Sequence, residues 1–163
     1  MRIAFYAPLK PPTHPVPSGD RRMARLLMAA LGRANHRVEL ASRFRSRDGA
    51  GDPARQQALA DLGEHLARRL VRQYQARDAA ERPELWFTYH LYYKAPDWLG
   101  PAVSAALDIP YVVAEVSHAG KRAGGPWAIG HAGAAAAIAH ADAIINRSEE
   151  HTSELQSPIH ISY

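Results

Sequence analysis

A chain of 163 residues with no cysteine, 20 basic and 16 acidic side chains excludes a disulfide framework and a thiolate metal site, and it suits one domain with an ordinary core. The formal charge of +4 favours anionic partners, yet the arginines are spread along helix-like segments rather than clustered with aromatics, which argues against nucleic acid. The longest apolar run, Ala132 to Ala143, is mostly alanine and is interrupted by His140 and Asp142, too polar to span a bilayer.

Met1 to Ala7 leads at once into a proline-rich loop, too short for a signal peptide, and predicts a first strand over 3–6. The loop from Pro8 carries Pro11, Pro12, Pro15 and Pro17 and closes on Ser18-Gly19-Asp20, a helix N-cap type of sequence. A helix over 20–33 follows, with Met23, Leu26, Leu27, Ala30 and Leu31 at helical spacing. Asn35 can take the left-handed cap before a second strand over 38–41. Residues 42–52 are polar and basic and are expected to form a mobile loop. Asp52-Pro53 announces a helix over 53–80, with Leu59, Leu62, Leu66, Leu70 and Tyr74 as its core stripe. Strands over 85–89, 111–116 and 143–145 then alternate with helices over 98–107 and 127–140. This alternation predicts an α/β fold, a Rossmann-like parallel sheet flanked by helices.

Ligands of an open parallel sheet bind beyond the carboxyl ends of its strands, so the loops there carry the candidate chemistry. Ser18, Gly19 and Asp20 open a helix whose N–H groups can receive a phosphate, although a plain capped connection explains the same residues equally well. That loop lacks both the dinucleotide glycine fingerprint and the P-loop fingerprint. His90 leads the loop after the third strand. The loop after the fourth, Ser117 to Gly125, holds His118, placed to meet a reacting group, and Lys121 and Arg122, which can neutralise phosphate. Glu115 is either catalytic or simply hydrogen-bonded at its strand end. No histidine pair has helical ligand spacing before the tail, so neither a metal site nor a resident cofactor is expected.

The order of these pieces resembles the N-terminal half of a GT-B glycosyltransferase, most like the retaining family 4. The resemblance rests on the strand Met1 to Tyr6, the loop ending Pro17-Ser18-Gly19-Asp20, the turn Asn35-His36-Arg37-Val38, the passage Ala106 to Val113, and Ala141-Asp142-Ala143-Ile144-Ile145. Asn35 and Asp108 stand where glycine is common, and Ser18-Gly19 replaces a glycine pair. The resemblance implies transfer of a sugar from a nucleotide-sugar donor to a sugar, lipid or other hydroxyl acceptor, with retention and without a metal ion. Gly19 would then line the cleft and His118 would contact the donor sugar near the reacting carbon. A cytoplasmic protein, peripheral to the inner face of a membrane, fits this reading.

Arg147 to Ser157 resembles the in-frame translation of a sequencing adapter, which makes residues 147–163 a non-native tail expected to be disordered and leaves 1–146 as a truncated acceptor-side domain. Without Arg147, Glu149, Glu150 and Glu154 the charged residues number 19 basic and 13 acidic, a net charge of +6. The donor half would be missing, so the chain alone is expected to be inactive. The alternatives are a non-catalytic acceptor- or membrane-docking module that works with a separate catalytic subunit, and another Rossmann-like enzyme that binds a nucleotide in this domain.

Overall fold

The computed structural model describes residues 1–117, 120 and 123–146, together with the backbone of 159–162. Strands β1 (Arg2–Tyr6), β2 (Arg37–Leu40), β3 (Leu85–Tyr92), β4 (Tyr111–Ser117), β5 (Ala143–Asn146) and β6 (Ile159–Ser162) form one sheet in the order β2-β1-β3-β4-β5-β6. Every pairing is parallel. Helices α1 (Gly19–Arg33), α2 (Pro53–Gln75), α3 (Gly100–Leu107) and α4 (Ala128–His140) connect the first five strands. The fold is the Rossmann-like α/β architecture the alternation predicts. The chain reverses direction across the sheet between β1 and β3, the topological switch point at which such sheets open a crevice. No helix of the described residues is long and apolar enough to cross a membrane.

The two faces of the sheet follow from strand alternation. Ile3, Phe5, Phe87, Tyr89 and Ala114 pack with Ala24 under α1. Ala4, Tyr6, Trp86, Tyr111 and Val113 pack on the other face with Ala67 and Tyr74 of α2, Val103 of α3 and Ala137 of α4. Ser18 caps α1 by accepting from the Arg21 N–H at 3.2 Å, and Asp52 caps α2 ahead of Pro53. Asn35 takes the left-handed turn expected of it, with φ 64°.

Several expectations need correction. Helix α2 ends at Gln75, and Ala79–Glu81 forms a separate 3-10 turn. Of its expected core stripe, Tyr74 is buried and Leu66 and Leu70 pack against the same core, beside the buried Gln56, Gly63 and Ala67, while Leu62 is 46% exposed. The reason is Trp98: its side chain sits where a methyl on Gly63 of α2 or on Gly133 of α4 would collide with it. The small residues set the close approach of the helix to Trp98, and Leu62 falls outside the packed face. Leu26 of α1, read as core, is likewise exposed. Strand β3 runs to Tyr92, so His90 belongs to the strand and not to the loop after it. Ile159–Ser162 pairs in parallel with β5 at the edge of the sheet. The unpaired N–H and C=O row of an edge strand is a ready template for such an extended segment.

Residues 42–52 are also fixed. Ser42, Phe44, Ser46 and Asp48 turn inward while Arg43, Arg45 and Arg47 turn out, the alternation of an extended segment. Ser46 donates its hydroxyl to the Pro96 carbonyl at 2.6 Å, and its N–H reaches the Pro8 carbonyl at 3.1 Å. The Asp48 carboxylate accepts from the N–H groups of Ala50 and Asp52 and from the Gln56 amide at 2.9–3.1 Å. Burial pushes the Asp48 carboxyl up, but these hydrogen bonds outweigh it and hold the group below its ordinary value. A carboxyl lowered in the fold contributes stability that is present above the unfolded value and lost as pH falls through the folded one. Asp48→Asn should therefore flatten the acid limb of the melting temperature against pH and cost about 1–3 kcal/mol at neutral pH, as read by thermal melts.

Candidate functional site

Three loops meet over the carboxyl ends of the strands, and each is tied to its neighbours. Arg45 and Arg25 donate their Nε–H to the Leu9 and Pro12 carbonyls at 2.8 and 2.7 Å, which brackets the loop between β1 and α1. The Gln56 side chain bridges the other two: its amide donates to Asp48 and to the Pro126 carbonyl, and its oxygen accepts from the Gly130 N–H at 3.0 Å. The Trp127 indole donates to the Asp48 carbonyl at 3.3 Å. The turn between β3 and α3 is held from below by Asp97, 2% exposed, which accepts from Thr88, Tyr111 and the N–H groups of Leu99 and Gly100.

At the switch point Asp20, in the first turn of α1, faces His90 of β3, with Oδ1 2.7 Å from Nδ1. A carboxylate at Nδ1 orients the ring and leaves Nε2 as its free edge when the imidazole is neutral. His90 is left-handed, with φ 61°, and so is Glu115 of β4. Tyr89 pairs with Ala114 and Leu91 with Val116, so the two left-handed residues lie at the same level of adjacent strands. Past them the alternation reverses: Leu91 and Val116 join the core under α2, α3 and α4. Non-glycine residues in this region cost on the order of 1–3 kcal/mol each and cluster at functional sites.

A row of rings extends from His90. Tyr89, His90, Tyr92, Tyr93 and Trp127 follow one another at centroid spacings of 5.3–5.8 Å. The Lys94 ammonium lies 4.7 Å from the Trp127 ring centroid. His90, Tyr92, Tyr93 and Trp127 are half-buried, which leaves ring surface for a ligand.

The structure thus brings Asp20 and His90 together beside Ser18 and Gly19. A methyl at Gly19 would meet nothing within 4 Å, so packing does not require glycine there and the space before the helix is open. His118, Lys121 and Arg122 lie outside the described residues. Their loop leaves β4 at Ser117, which pairs with Tyr92, and rejoins the fold at Trp127. Sequence reasoning missed Tyr92, Tyr93, Lys94 and Trp127 as site residues. Their signal was the aromatic cluster Tyr92-Tyr93 next to His90, but its partner Trp127 is remote in sequence.

Among the described residues no three His, Asp or Glu side chains converge to hold a metal ion. A cavity of about 200 Å³ lies at the amino edge of the sheet between Arg2, Arg37, Glu39, Arg77 and Glu81. Its three guanidinium groups are paired with Glu84, Glu81 and Glu39, so they are satisfied within the chain. Comparison with protein-family models, curated proteins and solved structures returns no match.

Proposed function

We propose that this chain is the acceptor-side half of a glycosyltransferase of the GT-B, family 4-like kind, which moves a sugar from a nucleotide-sugar to an acceptor hydroxyl with retention. The observation that supports this best is the His90–Asp20 pair set beside a row of half-buried rings at the switch point of the sheet. A sugar ring offers two chemistries: apolar C–H faces that lie on aromatic rings, and hydroxyls that need oriented donors and acceptors. The row from Tyr92 to Trp127 meets the first, and the free edge of His90 with the N–H groups at Ser18 and Gly19 meets the second. By the resemblance, His118 would contact the donor sugar near the reacting carbon, and Lys121 and Arg122 are residues that can neutralise phosphate.

The test is calorimetric titration of the whole chain with a methyl hexopyranoside. Saturable binding is expected, weakened about tenfold in His90→Asn, roughly 1.4 kcal/mol. Asparagine accepts the left-handed backbone, so the melting temperature should stay close to that of the parent chain. Saturable binding of a nicotinamide or flavin cofactor in the same crevice, with glycosides silent, would assign the domain to a different Rossmann-like enzyme.

A further inference from the structure

Residues 42–48 leave β2 and run past the carboxyl ends of β1 and β3, where the Ser46 N–H reaches the Pro8 carbonyl at 3.1 Å and the Asp48 N–H the Lys94 carbonyl at 2.8 Å. The Phe44 N–H is taken by the Ser42 hydroxyl at 3.0 Å. The inward residues therefore direct their N–H groups into the fold. The N–H and C=O groups of Arg43, Arg45 and Arg47 make no hydrogen bond among the described residues, which leaves the other side of the segment as an open backbone edge.

The three arginine side chains are exposed and form no ion pair among the described residues. Arg45 alone is anchored, by its Nε–H on the Leu9 carbonyl, which orients the guanidinium group without neutralising it. The acids nearest in sequence are occupied: Glu39 pairs with Arg77, Asp48 accepts within its own loop, and Asp52 caps α2. Alternate residues of an extended chain stand about 6.6 Å apart, so three like charges line about 13 Å of this edge.

Such a row repels a second copy of the same edge, because cation would face cation across the pair. A strand with an acid at every second position has the same repeat, and it can set a carboxylate opposite each guanidinium group while its backbone pairs with the open N–H and C=O groups. Single-stranded nucleic acid would match the charge but lacks a stacking platform here, since Phe44, the aromatic side chain of the segment, packs against the core. We propose that Arg43 to Arg47 is a docking edge for an extended acidic peptide segment of a partner protein, with Asp or Glu at alternate positions, added in the manner of a β-strand. This proposal stands apart from the glycosyl-transfer reading, since it uses none of the crevice residues His90, Tyr92, Tyr93 or Trp127.

The experiment is a fluorescence-anisotropy titration of the whole chain into a labelled hexapeptide that alternates glutamate with threonine, and into its counterpart with glutamine for glutamate. Saturable binding is expected to the glutamate peptide alone, and it should weaken as salt is raised. Arg43→Gln and Arg47→Gln should each weaken it about fivefold and, altered only at exposed positions, keep the parent melting temperature. Two further peptides, methylated on the backbone nitrogens of the glutamates or of the threonines, test the edge: one of the two should lose binding and the other keep it, because a strand pairs along one side through alternate residues. No binding, equal binding of the glutamine peptide, indifference to the arginine substitutions, or an equal effect of the two methylated peptides would overturn the proposal. Tighter binding of a single-stranded oligonucleotide would do so as well and would assign the edge to a general polyanion contact.

Discussion

Asp97→Ala is expected to lower the unfolding free energy by about 3–5 kcal/mol, because it leaves several buried donors unsatisfied at about 1–3 kcal/mol each. The carboxylate is the common acceptor of four donors. Thr88 Oγ1 and the Tyr111 hydroxyl reach Oδ2 at 2.5 and 2.9 Å, and the Leu99 and Gly100 N–H groups reach Oδ1 at 2.8 Å each. All four lose their partner at once in the alanine variant, in a site that water does not reach. Asp97→Asn keeps an acceptor for the two N–H groups and should cost less. The pair also separates charge from geometry. Burial pushes the Asp97 carboxyl above its ordinary value, against the pull of its four hydrogen bonds. A carboxyl raised in the fold binds its proton more tightly there, so its contribution is fully present below the unfolded value and is lost as pH rises through the folded one. The asparagine variant should lack that loss, and urea denaturation across the acid and neutral range reads it directly.

Gly130→Ala should destabilise by about 3 kcal/mol, at the upper end for overpacking, because the obstacle is backbone. A methyl there would collide with the Tyr93 carbonyl oxygen, and the Gln56 oxygen lies 3.5 Å away on the same side. A flexible side chain could swing aside; a carbonyl held at the end of β3 moves only with the strand or with α4. The displacement reaches the ring row, since Tyr93 stacks edge-on against Trp127 three residues before Gly130. A lowered melting temperature together with a changed Trp127 emission is the expected result. An unchanged melting temperature would mean that α4 is not packed against β3 as described.

The strands and helices were legible because their signals are local: an apolar run bounded by caps such as Ser18 and Asp52 needs no knowledge of the rest of the chain. The phase of α2 was legible only in part: Leu66, Leu70 and Tyr74 pack as the periodicity predicts, and Leu62 does not. Periodicity weighs leucines, whereas the approach between α2 and Trp98 is made at Gly63, whose signal is the absence of a side chain. Strand β3 was cut short at Tyr89 because a polar residue normally ends an apolar run. His90 instead continues the strand in the left-handed conformation, which no propensity announces. Residues 42–52 read as loop and lie outside every helix and strand; what was not legible is that the polar Ser46 and Asp48 are buried in it. Asp97 left a weak trace, an acid shortly before Gly100-Pro101 at a helix start. Within the candidate site, Asp20 and His90 were each chosen for their loops, and only the fold set them 2.7 Å apart.

The measurement that bears most directly on the functional reading is a two-dimensional NMR titration of the nitrogen-labelled chain with a methyl hexopyranoside and, separately, with a nucleotide-sugar. Saturable shifts of the Trp127 indole N–H, the His90 ring and the Gly19 and Asp20 amides with the glycoside, and no saturable shift with the nucleotide-sugar, whose donor half is expected to be missing, are the result predicted here. Shifts of those amides by a nicotinamide or flavin cofactor, with Trp127 and His90 unmoved by either sugar ligand, would contradict it.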